Sequence, residues 1–152
     1  MKAMPLDRRR LLTSLLGATL FPATAQAIDF PIPKIETRLV PWKYRRQDVA
    51  FKTSEPPGTI VVDSRKFHLY YVTGNGRAIR YGIGVGKEGK SWSGVATVAR
   101  KAKWPKWTPT ADIHKRIEGL PASVPGGVDN PLGARALYLY QGGRDTLFRI
   151  HG

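Results

Sequence analysis

Three histidines, His68, His114 and His151, carry the only side chains of this chain that ordinarily gain or lose a proton near neutral pH. Such a group can shuttle protons, hold a metal or activate a nucleophile, and its neighbours decide which. None of the three stands at metal-ligand spacing from another, so no metal site is expected. Cysteine is absent, which leaves no thiol nucleophile, disulfide or thiolate zinc site within these 152 residues. His68 alternates with aromatic residues in a strand-like run and reads as a surface or cross-strand residue. His114 falls in a loop or short helix and gains no role, and His151, in Ile150-His151-Gly152, would taken alone be a solvated terminal group.

Other segments have the residue types of binding loops. Gly82-Ile83-Gly84-Val85-Gly86 lacks the glycine spacing of a dinucleotide loop, and no helical pattern follows it, so it reads as a glycine-rich strand that lets neighbours approach closely. Trp104-Pro105-Lys106-Trp107-Thr108-Pro109 places two large aromatics in a proline-stiffened segment, suited to a loop packed over the core or to a groove wall. Trp107 and Tyr138 are the candidate substrate-binding residues. In Asn130-Pro131-Leu132-Gly133, proline fixes φ and glycine tolerates a positive value, which makes a turn leading into the apolar run that follows.

The elements that must hold these residues are strands. Runs of β-branched and aromatic residues between turn formers predict strands over 59–63, 67–72, 78–85, 95–100, 137–140 and 146–150. Thr73-Gly74-Asn75-Gly76 supplies the positive φ values of a tight hairpin. A short helix is expected within 113–120, and no longer stretch keeps a helical period. With 16 Gly and 12 Pro scattered along it, the chain reads as mainly β, a β-sandwich. Residues 28–57, rich in proline and basic side chains, read as an extended arm in which Val49-Ala50-Phe51 offers an edge strand, and the domain proper spans 58–152.

Length allows one domain and a leader. Residues 1–27 run from Arg8-Arg9-Arg10 through an apolar stretch to Ala25-Gln26-Ala27, the order of a signal peptide, by either the twin-arginine or the general secretion route. The apolar stretch is about half of the roughly 20 residues that span a bilayer, so no transmembrane anchor is expected. The net charge is +14, and the part after the leader stays strongly basic. That charge attracts polyanions such as nucleic acid, anionic lipid or acidic envelope polymers, and export to the periplasm or cell envelope argues against nucleic acid.

Taken in order, Ile60-Val61-Val62-Asp63, Leu69-Tyr70, Gly82-Ile83-Gly84-Val85-Gly86, Trp92-Ser93-Gly94, Trp104-Pro105 through Pro109, Asn130-Pro131-Leu132-Gly133 and Ile150-His151-Gly152 resemble the L,D-transpeptidase catalytic domain of the YkuD type. The resemblance runs from about Gly58 to the last residue. It implies that His151 is the catalytic histidine and that Gly152 offers backbone beside the site. In the family a Ser-x-Gly-Cys-x-Arg motif follows and carries the nucleophile, whereas this sequence stops at Gly152. The expectation is therefore a chain cut before its cysteine, inactive as given, with an uncovered sheet edge and a small stability margin. The implied substrates are peptidoglycan stem peptides, no cofactor is implied, anionic wall polymers are further partners, and a monomer is expected. An inactive, wall-binding remnant of the family is the alternative.

Overall fold

The computed structural model describes residues 29–32, 34, 36–86 and 92–152, so the leader expected over 1–27 lies outside the described residues. Seven strands are formed among them: β1 (Gln47–Ala50), β2 (Ile60–Asp63), β3 (His68–Gly74), β4 (Arg77–Gly82), β5 (Thr97–Lys103), β6 (Arg135–Gln141) and β7 (Arg144–His151). They make two sheets, ordered β1-β4-β3-β2 and β5-β6-β7, in which every neighbouring pair is antiparallel. The fold is mainly β, as its strand-forming runs and frequent turn residues require.

Local chemistry sets the tight turns. Between β3 and β4, Gly74, Asn75 and Gly76 take φ of 96°, 52° and 70°, the left-handed values that a two-residue hairpin needs. The hairpin aligns Val72 with Ala78, the two core residues of the first sheet, at 2% and 0% exposure. Gly142 and Gly143 play the same part between β6 and β7.

The arm is seated on the first sheet. Its expected edge strand forms as β1, which pairs with β4 from Gln47↔Arg80 to Ala50↔Arg77. Phe51 follows and stacks on Tyr70 with centroids 4.4 Å apart. Two single-turn 3-10 helices precede it, Thr37–Leu39 and Trp42–Tyr44. Tyr44 lies so close to Gly82 that a Cβ built there would sit 2.5 Å from Tyr44 Cβ, so the close approach expected of the glycine-rich run is real. The strand itself stops at Gly82 rather than continuing to Val85.

A six-residue helix, α1 (Ala111–Arg116), lies between β5 and β6. It starts earlier than the apolar residues suggest because Thr110 caps it, its hydroxyl accepting from Ile113 N at 3.4 Å. It ends at Arg116, with Ile117 as its extended C-cap, ahead of Gly119 with φ 74°. The core is thin: among the described residues, the buried apolar side chains besides Val72 and Ala78 are Trp104, Pro105, Pro109, Leu132, Ala134, Ala136 and Tyr138, in or beside the second sheet.

Candidate active site

The end of β7 carries His151 and Gly152, and two contacts fix its position. Gly152 closes the ladder with Arg135, donating to its carbonyl at 3.1 Å and accepting from its N–H at 2.9 Å. Gly133, at φ 66°, lies under it: a Cβ there would come within 2.6 Å of the Gly152 carbonyl carbon. Glycine is needed at position 133 both for its dihedral angle and for the backbone crossing it.

Asn130 holds that turn in place. It is 5% exposed, and its amide nitrogen donates to the carbonyls of Pro105, Val124 and Pro125 at 3.0, 3.1 and 2.8 Å. Its Oδ1 accepts from Leu132 N at 2.8 Å. One side chain thus ties three separate stretches of chain together. Trp107 is carried by one of them: it is half-buried and forms an antiparallel bridge with Val124, with N···O distances of 2.9 and 2.8 Å. Trp104 is buried, donates its backbone N–H to Ala134 O, and meets Phe30 edge-on at 5.2 Å. The two tryptophans therefore divide the alternatives between them, Trp104 packing in the core and Trp107 staying partly open.

Strand register places the remaining groups. Ala102, Ala136 and His151 stand opposite one another across β5, β6 and β7. Two residues along, on the same face, stand Arg100, Tyr138 and Arg149. Tyr138 is 8% exposed and receives a guanidinium from the strand on either side, Arg100 at 4.4 Å and Arg149 at 4.1 Å from its ring centroid. Arg149 also makes a two-pronged ion pair with Asp145, both distances 2.7 Å, which holds the Asp145 carboxyl below the usual carboxylate range against an opposing effect of burial. His151 is exposed, and among the described residues no hydrogen bond holds its ring.

His151 and Tyr138 are thus brought to one face of one sheet. His114 lies on α1 and is exposed, while His68 is buried in the first sheet with Nε2 3.0 Å from Lys43 O. His68 is a packing residue under the arm, more enclosed than its alternating pattern suggested. A shallow apolar groove beside it, lined by Val40, Tyr44, Phe67, Gly82 and Ile83, contains none of the candidate site residues. No group of three metal-ligating side chains occurs among the described residues, and no helix among them is long and apolar enough to cross a membrane. Sequence reasoning missed the Asn130 clamp and the two arginines on Tyr138, because both depend on partners distant in sequence.

The model of the L,D-transpeptidase catalytic domain, the YkuD type, matches residues 57–152, well over half of the chain. The chain belongs to that family. Within this L,D-transpeptidase domain chain, the matched region opens just before β2 and ends with the His151-Gly152 pair, so β1 and the arm precede it. Two relatives in Escherichia coli K12 are the probable L,D-transpeptidase YbiS, 43% identical over 102 residues, and the probable L,D-transpeptidase ErfK/SrfK, 41% identical over 102 residues. Each alignment covers 61% of this chain and 31% of the relative, so the chain spans about a third of the length of the curated relatives it matches. A solved structure from Brucella melitensis, named a probable carnitine operon oxidoreductase CaiA, is 44% identical with a TM-score of 0.65, covering 77% of this chain and 74% of that one. The oxidoreductase name belongs to the Brucella protein, and the likeness in backbone bears on the fold.

Proposed function

We propose that this chain serves peptidoglycan L,D-transpeptidation, with His151 as the imidazole of a cysteine dyad whose thiol is supplied by residues after Gly152. The observation that carries the reading is the family match ending on a His-Gly pair held at a strand terminus by Arg135 and Gly133. A free thiol titrates near about 8.5, so near neutral pH an adjacent imidazole must take its proton to make the nucleophile. The thiolate then attacks the carbonyl of the third residue of a tetrapeptide stem. The terminal D-alanine leaves as the amine, taking up the proton, and a thioester remains. An acceptor amine resolves the thioester into a cross-link or a lipoprotein attachment and regenerates the thiol. The ring of His151 is exposed and, among the described residues, makes no hydrogen bond, so it can meet a thiol brought to it. In this reading residues 1–27 direct export to the periplasm, residues 28–57 form the arm, 58–152 belong to the catalytic domain, and the protein acts as a monomer without a cofactor.

The test is made on the full-length protein. Incubated with a tetrapeptide stem, it should release D-alanine and gain the mass of an acyl group on cysteine. His151→Gln should lower both by at least about a hundredfold, within the range that general acid–base groups supply. A coding sequence with no Ser-x-Gly-Cys-x-Arg after Gly152 overturns the enzyme reading. It would leave the second reading, a basic wall-binding domain, which the net charge of +14 favours. Retention on purified sacculi that persists at high salt would then mark specific binding, since ion exchange is screened.

A further inference from the structure

The row beside His151 carries a surplus of positive charge, two guanidinium groups on Tyr138 with the single carboxylate of Asp145 acting on both. Asp145 pairs directly with Arg149 at 2.7 Å and feels Arg100 only at longer range; among the described residues no hydrogen bond or ion pair holds the guanidinium of Arg100. Arg100 is exposed, and its position is nevertheless defined, because the guanidinium carbon lies 4.4 Å from the centroid of the buried Tyr138 ring. An arginine held over an aromatic ring by its guanidinium carbon keeps N–H groups free for other partners, in the forked arrangement that fits a carboxylate. Tyr138 is in turn braced from β7 by Arg149, so ring and guanidinium form a preset platform.

Placement adds the second half of the argument. Arg100 and His151 share one face of the β5-β6-β7 sheet, two strands and one row apart. Because the Arg100 guanidinium already lies over β6, the remaining gap to the His151 row is about 7 Å, the length of two extended residues. A peptide whose reacting carbonyl sits at His151 would have a carboxylate one or two residues away within reach of this fork. Stem peptides are acidic, and Arg100 adds positive charge on the same sheet face as His151.

We propose that Arg100, held on the Tyr138 ring, receives a carboxylate of the stem peptide and sets its register against His151. This rests on the peptidoglycan reading and assigns Arg100 as a specificity residue. Tyr138 is its positioning residue, so the phenol ring acts through the arginine.

The experiment measures binding rather than turnover, by calorimetry on the full-length protein. The ligands are a tetrapeptide stem and the same peptide with each of its carboxylates capped in turn as an amide. Wild type should lose about tenfold or more in affinity for one of the amides, as expected for a charge-assisted forked pair. Arg100→Gln should weaken the uncapped peptide by the same factor and no longer distinguish it from that amide. Arg100→Lys keeps the charge but loses the fork, and should fall between. Lys101→Gln removes the same charge from the other face of β5 and should bind as wild type does, which separates a local contact from net charge. Which amide is affected identifies the carboxylate, terminal or side-chain. Equal affinity of wild type for all the peptides, or equal binding by Arg100→Gln and Lys101→Gln, would overturn the role of Arg100 with the peptidoglycan reading intact. Failure of wild type to bind any stem peptide would sink that reading and this inference together.

Discussion

Replacing Asn130 tests whether one buried amide holds the site together. Its side chain makes four contacts, three donated to the carbonyls of Pro105, Val124 and Pro125 and one accepted from Leu132 N. An amide has two N–H bonds, so the three donated contacts count as two bonds shared among three carbonyls. At about 1 kcal/mol net for each of three bonds, plus part of the cost of stranding the Leu132 N–H, Asn130→Ala should destabilise the domain by about 3–4 kcal/mol. For a domain of this size that is a fall in melting temperature of about 12–32 °C. Asn130→Asp sharpens the test: it keeps the acceptor for Leu132 N but turns a negative oxygen toward three carbonyl oxygens in a buried turn. It should therefore be at least as damaging as alanine despite its near-identical shape. Thermal melts of the full-length protein by circular dichroism at neutral pH give the ranking. Amide exchange at Gly152 and Arg135 should also quicken in both variants, since the turn no longer supports the end of β7. An Asn130→Ala melt within about 3 °C of the parent, or an Asn130→Asp protein more stable than Asn130→Ala, would refute the clamp.

Gly133→Ala should cost about 2–3 kcal/mol, part from an alanine at positive φ and the rest from displacing Gly152, whereas Gly76→Ala, at a similar φ of 70° with nothing within 4 Å, should cost only about 1 kcal/mol. Equal melting temperatures for the two would show that Gly152 does not press on Gly133. The Asp145 carboxyl is held below its ordinary 3.8 by Arg149, so its contribution is complete above the unfolded titration near about pH 4 and drains away as pH falls through the lower folded value. The gap in urea midpoint between wild type and Asp145→Asn should accordingly be widest near neutral pH and close as the pH falls through the lowered folded value. A residual acid sensitivity is expected in both proteins from Asp63, lowered chiefly by the Lys66 backbone N–H, and a gap that stays constant with pH would contradict the pairing.

The parts legible in the sequence were those whose causes are local. β2, β3 and β7 announce themselves as β-branched and aromatic runs, and Gly74-Asn75-Gly76 signals the β3–β4 turn within three residues. Ends of elements were less legible wherever a distant residue decides them. β4 stops at Gly82, where Tyr44, thirty-eight positions earlier, lies against the backbone, and α1 begins at a Thr110 cap rather than at its first apolar residue. Val49 and Ala50 look like edge-strand residues, but nothing in their own segment names β4 as the partner. The candidate site shows the same division. His151 and Gly152 were marked out by family resemblance, since a terminal histidine has no local pattern of its own. Asn130 reads only as a turn former, because its acceptors lie up to 25 residues away. Arg100 and Arg149 look like ordinary strand cations until the register of three strands sets both on Tyr138.

The pairing of β1 with β4 has a practical consequence for anyone who trims this protein. A fragment begun at residue 57, where similarity to the family starts, would discard β1 and Phe51 together. The outer rim of β4 would then present bare peptide groups to other molecules, an invitation to self-association. A boundary drawn by homology and one drawn by hydrogen bonding differ here by a whole strand, and recombinant work should follow the second.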